Sequence, residues 1–224
     1  MNRDNIVVGL DIGTSKIAAI IGDVWPEDPE KINIVGVGMS EASGLRKGVV
    51  VDIEQTSNAI REAVEKAEKM SGVSIGSAYT GIAGGHISGI TTSGVVAVSG
   101  KDHEITQADV NRAIEQAQAL ATPVEREVLH VIPQGYTVDD QTGFREPVGI
   151  YGIKLIAHVQ IITGAVAATQ NVVKSVYNAG LSVENIVLQP LASGEAVLTN
   201  NEKEMGVVLV DIGDGTAISA TDSD

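Results

Sequence analysis

The chain contains no cysteine. Disulfides and thiolate metal sites are therefore excluded, although the absence alone does not assign a redox compartment. Aromatic residues make up 3% of the sequence, with one Trp and one Phe, so any core must be aliphatic. Basic residues are also short: 15 Lys and Arg stand against 29 Asp and Glu, for a net charge of −14. That balance argues against nucleic acid as a main partner, because phosphate backbones are bound by basic surface. It argues equally against docking of the folded body on anionic lipid. No apolar run approaches the roughly 18 residues of a transmembrane helix. The opening residues, Met1 to Asn5, lead straight into a strand pattern, so no signal peptide is expected and a cytosolic setting is the default. His86, His103, His130 and His158 are scattered without ligand spacing and read as structural.

What is present is enough for a real core. Of 224 residues, 43% are hydrophobic, which accommodates one large domain or two modest ones. Residues 6–11, 17–22 and 32–38 read as three successive strands, the first two joined as an antiparallel hairpin, with a short strand at 49–51. A helix follows, with Asp52 as N-cap, Gln55 three residues on, an apolar face of Ile53, Ile60, Ala63, Val64, Ala67 and Met70, and Gly72 as stop. Residues 77–82 form another strand.

From about residue 85 to 162 the pattern changes. Strands at 89–92 and 95–99 precede a helix capped by Thr106, with Val110, Ala113, Ile114, Ala117 and Leu120 as its stripe. Strands at 128–132, 135–138 and 154–163 complete a small α+β unit. Its own core is expected from Val110, Ile114, Leu120, Val128, Leu129 and Ile132. A helix to Ala179, a strand at 183–188, a helix opened by Pro190 and a last strand at 206–211 return to the first pattern. The whole fits an α/β mixed sheet with helices on both faces. A discontinuous domain, 1–84 with 163–224, would carry an inserted α+β subdomain at 85–162.

Two glycine hinges carry the chemistry. GLDIGTSK at 9–16 and DIGDGT at 211–216 each follow an apolar strand and set an acidic residue at its end. Gly13, Gly213 and Gly215 let the chain bend back or approach a ligand closely. Successive backbone N–H groups in such turns form a concave anion site. Asp11 and Asp211 at its mouth suit a phosphate-bound Mg²⁺, held through water.

These residues resemble the actin-like ATPase superfamily, and within it the bacterial FtsA cell-division family. The first phosphate loop resembles Gly9, Asp11, Gly13 and Thr14; the second resembles Asp211, Gly213, Gly215 and Thr216. LQPLASGEAV at 188–197 is similar to the helix linking the two halves of such ATPases. GGHI at 84–87, EVLHVIP at 127–133 and IVLQPLAS at 186–193 are similar to FtsA specifically, as is the place of the insert. The resemblance implies a fold of the actin-like (ribonuclease H-like) type and a scaffold that binds ATP and Mg. Such a scaffold polymerises at the inner face of the membrane through a C-terminal helix, tethers FtsZ and recruits later division proteins. It implies at most weak ATPase activity. Gln189 would orient the attacking water; Asp11, Gly13, Thr14, Ser15, Lys16, Asp211, Gly213, Asp214, Gly215 and Thr216 would hold the nucleotide. The insert would serve self-association or partner contact.

Two departures stand out. Asp214 occupies a position where bacterial relatives usually have Gly, and a carboxylate beside phosphate needs a cation between them. The segment after the second loop, 217–224, is polar and weakly strand-like, and the adenine-binding half expected of the family is not in the sequence, nor is the membrane helix. Two other readings of the same fold are a type IV pilus platform protein with a similar insert, and a small-molecule kinase.

Overall fold

The computed structural model describes residues 5–121, 123–214 and 217–222. In chain order the elements are β1 (Ile6–Ile12), β2 (Lys16–Trp25), β3 (Asp28–Glu41), β4 (Leu45–Arg46), β5 (Val49–Val50), α1 (Ile53–Ser71), β6 (Ser77–Ile82), β7 (Ile87–Ala97), α2 (Gln107–Ala121), β8 (Arg126–Val138), β9 (Gln141–Phe144), β10 (Lys154–Ala165), α3 (Val166–Asn178), β11 (Ser182–Leu188), α4 (Gln189–Val197), α5 (Asn200–Met205), β12 (Val207–Ile212) and β13 (Ala217–Asp222). The chain divides into two compact units. One runs to His86 and resumes at Val166; the other is Ile87–Ala165. Among the described residues no helix is long and apolar enough to cross a membrane.

The first unit is built on a five-stranded mixed sheet in the order β11-β6-β1-β2-β3. β2 runs antiparallel to both β1 and β3, and β6 lies parallel to both β1 and β11. On β1 the even positions Val8, Leu10 and Ile12 are buried, whereas Gly9 and Asp11 face outward. That alternation aims Asp11 away from the core. α1 starts where Asp52 Oδ1 accepts from the Gln55 N–H at 3.0 Å and ends at Gly72, whose φ of 72° only glycine adopts without strain. Its buried face contains Ile60, Ala63, Val64 and Ala67, but Met70 is exposed, its Sδ accepting from the Val37 N–H at the end of the helix. β2 and β3 extend well beyond the predicted 17–22 and 32–38, because their outer ends pair with each other without needing a core beneath them. The short strand expected at 49–51 is β5, but its hairpin partner β4 and the helix α5 were not expected from the sequence. Nor is β12 the last strand: β13 pairs antiparallel with it from Ile212↔Ala217 to Val207↔Asp222.

The second unit is a four-stranded antiparallel sheet in the order β7-β10-β8-β9, with α2 packed on it. The two strands predicted at 89–92 and 95–99 are one, β7, and those at 128–132 and 135–138 are one, β8. Glycine at 94 does not break β7; it makes room for α2. A Cβ there would stand 1.9 Å from the Ala113 carbonyl oxygen and 2.7 Å from the Ala117 nitrogen. The first unit repeats the device: a Cβ on Gly38 in β3 would stand 1.9 Å from the Ala63 oxygen and 2.5 Å from the Ala67 nitrogen of α1.

The second core contains Leu155, Val159 and Ile161 fully buried and Val110 and Val138 buried beside them, with Ile114, Val128 and Val131 packed against them. Leu129 and Ile132, predicted to join it, do not. The pairing of β8 with β10 slips between Ile162/Thr163 and between His158/Val159, leaving Leu129 and Gln134 without direct partners. Each bulge shifts the alternation by one residue, so Val128 and Val131 share the inner face. The Leu120 side chain lies outside the described residues. At the start of α2 Thr106 Oγ1 accepts from the Asp109 N–H at 3.4 Å, and Thr106 Oγ1 and N donate back to Asp109 Oδ2 at 2.6 and 2.9 Å. Asp109 is wholly buried; its Oδ1 also accepts from the Ser99 N–H at 3.1 Å and the Ser99 hydroxyl at 2.8 Å, and pairs with Arg112. His158, in mid-β10, lies between Ser93 Oγ (3.0 Å to Nδ1) and Thr137 Oγ1 (2.9 Å to Nε2).

Candidate functional site

The site lies at the carboxyl end of β1, within the first unit. The turn after β1 closes with the Gly13 N–H donating to the Lys16 carbonyl at 3.1 Å. Gly13 is not in the left-handed region; glycine is required because a Cβ would stand 2.9 Å from that same oxygen. The turn is braced from outside. Thr14 Oγ1 accepts from the Gly48 N–H at 3.1 Å, and the Ser15 carbonyl accepts from the Ala42 N–H at 3.0 Å. Gly48 has φ 74°, and a Cβ on it would fall 2.3 Å from the Ala83 oxygen, so the loop between β4 and β5 fits beside the turn only with glycine there. Sequence reasoning missed this brace. The available signal was the pair Gly44 and Gly48, both of which adopt positive φ.

Gln189 opens α4, with Leu188 as N-cap and Pro190 next in the first turn. Leu188 supplies no side-chain cap hydrogen bond. Gln189 Nε2 donates to Asp11 Oδ1 at 2.5 Å, linking residues 178 positions apart. With its amide nitrogen so engaged, Oε1 is left to accept a hydrogen bond from elsewhere.

Asp11, Gly13, Thr14, Ser15, Lys16, Gln189, Asp211, Gly213 and Asp214 all line one cleft of ≈ 290 Å³. Gly215 and Thr216 lie outside the described residues. An adjoining, more apolar cavity of ≈ 370 Å³ shares Asp11, Gln189 and Asp211 and is walled by Ile20, Tyr79 and Val187 among others. Crowding by neighbouring atoms raises the pKa of the Asp11 carboxyl. Lys16 pulls it down, Asp211 adds to the rise, and the Gln189 hydrogen bond lowers it. Three carboxylates and one lysine are therefore gathered in the cleft. Such a lining repels a bare anion but suits an anion that brings a hard divalent cation, bound through oxygen ligands and water. No cluster of three or more His, Asp or Glu able to hold a metal directly occurs among the described residues.

The profile of the SHS2 domain inserted in FtsA matches residues 84–163. Cell division protein FtsA of Pseudomonas aeruginosa is 47% identical over 211 residues, 94% of this chain and 50% of that protein. Over nearly all of its length the chain is similar to FtsA. FtsA of Neisseria meningitidis serogroup B is 51% identical over 207 residues, 92% of the chain and 49% of that protein. The chain thus spans about half the length of these FtsA relatives. Among solved structures, the PilM-PilN type IV pilus biogenesis complex aligns with TM-score 0.66 over 96% of this chain and 57% of the other, at 16% identity. That likeness carries the fold, an actin-like α/β fold as the FtsA resemblance implied, and not a pilus function.

Proposed function

We propose that this chain is part of an FtsA-family protein and supplies the phosphate-holding wall of a Mg-ATP site. The observation that carries the reading is convergence. Two glycine turns, at the ends of β1 and β12, and the first residue of α4 meet in one cleft although they lie about two hundred residues apart in sequence. In this reading the backbone around Gly13–Ser15 and Gly213 binds phosphate oxygens, Lys16 pairs with one of them, and Asp11 and Asp211 hold the waters of Mg²⁺. The cation, when bound, neutralises phosphate charge. A cation held there would also offset the charge of Asp214, which lines the same cleft. Gln189, fixed through its amide nitrogen, presents Oε1 to a water. Gly215 and Thr216 would complete the second loop. In a protein of the relatives' full length the site serves a division scaffold that self-associates on the membrane, engages FtsZ and recruits later division proteins.

Equilibrium dialysis with Mg-ATP tests this in a protein of that length. Asp11→Ala and Asp211→Ala are expected to weaken Mg-dependent binding more than Gln189→Ala, because Gln189 acts on water and mainly in the transition state. Undiminished Mg-dependent affinity in both aspartate variants would end the assignment.

A further inference from the structure

β7 is an edge strand, bonded to β10 on one side only. Its pairing with β10 runs from Ile87↔Gly164 to Ala97↔Lys154 without a bulge. In an antiparallel ladder the residues that face the neighbour alternate with those that face away. The Val95 N–H and the Ala97 carbonyl fix which set faces away. The first donates to Gln116 Oε1 at 2.6 Å, and the second accepts from Arg112 at 3.0 Å. Both partners are side chains of α2. Odd-numbered residues therefore point off the sheet edge, and α2 covers the C-terminal half of that edge. Gly89, Thr91 and Ser93 belong to the same set, are exposed, and have no backbone partner among the described residues.

This stretch lacks every device that protects an edge. It has no proline, lysine or bulge, and no Lys, Arg, Asp or Glu occurs between Lys69 and Lys101. In a chain of net charge −14 it is a place where two copies can meet without like charges opposed. Its side chains also suit such a meeting. With a two-fold axis at Thr91, Thr91 faces its own copy and Gly89 faces Ser93. Small and β-branched residues then oppose one another, with a favourable Thr–Thr cross-strand pair at the centre. α2 limits the pairing at its C-terminal end and so sets the register.

We propose that residues 89–93 of β7 pair antiparallel with the same residues of a second copy of this chain, joining two inserted sheets into one continuous sheet. The pairing uses only backbone groups already aligned by β10. It needs no nucleotide and does not rest on the functional reading above.

Sedimentation velocity on the 224-residue chain, without nucleotide and from about 1 µM to 1 mM, reads the association directly. A reversible dimer is expected. Thr91→Pro, which removes an outward donor without touching the β10 ladder, and Thr91→Lys, which adds a charge at the axis, are each expected to raise its Kd at least about tenfold. The absence of native cysteine allows a register test. Opposed Thr91 residues would have Cα atoms about 5.5 Å apart, inside the disulfide range, so Thr91→Cys cross-links under mild oxidation. Ser93→Cys, which faces Gly89 of the other copy, does not. A chain that stays monomeric to about 1 mM overturns the proposal and leaves the edge to a strand of another protein. A dimer indifferent to both Thr91 substitutions overturns it too, as does one in which Ser93→Cys cross-links as readily as Thr91→Cys.

Discussion

Replacing Asp109 should unlock the second unit. The buried carboxylate joins the Ser99 turn, the start of α2 at Thr106 and the Arg112 guanidinium. Asp109→Ala leaves the Ser99 and Thr106 N–H groups without acceptors and strips Arg112 of its carboxylate, leaving it the Ala97 carbonyl and the Ser99 hydroxyl. Arg112 remains about half in solvent, so the cost falls on the N–H groups left without acceptors, about 1–3 kcal/mol each. That is a large share of the roughly 5–15 kcal/mol that holds a domain together. Asp109→Asn keeps one acceptor oxygen but turns an NH₂ toward Thr106, so about 1.5–3 kcal/mol is expected, one charge-assisted bond. Burial alone would raise the carboxyl's pKa, but hydrogen bonds from Thr106 and then Ser99 overcome it and hold the group well below the ordinary carboxylate range. A depressed folded pKa stabilises above the unfolded value, about 3.9, and the benefit drains away as pH falls below that. Trp25, the sole Trp, belongs to the first unit, so its fluorescence does not report this loss. Amide hydrogen exchange does. Protection in β7, β8 and β10 should collapse in Asp109→Ala while β1, β2 and β6 keep theirs. Urea titrations from pH 7 to pH 3 should show an acid-sensitive component in the parent chain that Asp109→Asn lacks. A loss under about 1 kcal/mol in Asp109→Ala, or equal acid sensitivity in both chains, refutes the argument.

Three further outcomes can be checked. Gly48→Ala places a side chain at φ 74° and against the Ala83 carbonyl, so thermal melts should show a loss of about 1–3 kcal/mol in the first unit. Thr14→Val removes the acceptor for the Gly48 N–H, and amide exchange at Gly48 should quicken while the exchange of α1 stays as it was. Replacing residues 87–165 by a short Gly/Ser linker in a protein of the relatives' full length should leave Mg-ATP binding nearly intact in equilibrium dialysis and impair filament formation or partner recruitment. Loss of nucleotide binding in a folded deletion would count against an interaction role for the insert.

What the sequence reveals depends on how local each cause is. α1 and the turn after β1 are legible because Asp52, Gly72 and Gly13 act within a few residues of themselves. Gly94 and Pro133 mislead, since each looks like a strand breaker. Gly94 answers to α2 crossing above it, and Pro133 stands beside the bulge at Gln134, where the ladder is already interrupted. The inward positions of β8 could not be read from alternation, because two bulges shift its phase and leave no mark in composition. In the site, Asp11, Lys16 and Asp211 carry a glycine signature beside them. The brace from Gly48 to Thr14 and the bond from Gln189 to Asp11 span 34 and 178 residues, and no local pattern announces either. β13 reads from the sequence as only weakly strand-like for a related reason: its pairing partner β12, not its own polar sequence, makes it a strand.

The glycines beneath the two helices have a use beyond packing. Gly38 lies under α1 and Gly94 under α2, each where an alanine pair brings the helix backbone almost onto the strand. A single methyl group at either glycine forces its helix outward, at a cost of about 1–3 kcal/mol or more, and touches nothing in the other unit's core. Gly38→Ala and Gly94→Ala are thus orthogonal genetic handles of identical chemistry. In a dividing cell each would loosen one unit while the other remained intact, and a graded temperature shift would assign a phenotype to the unit that holds the cleft or to the insert without deleting a residue.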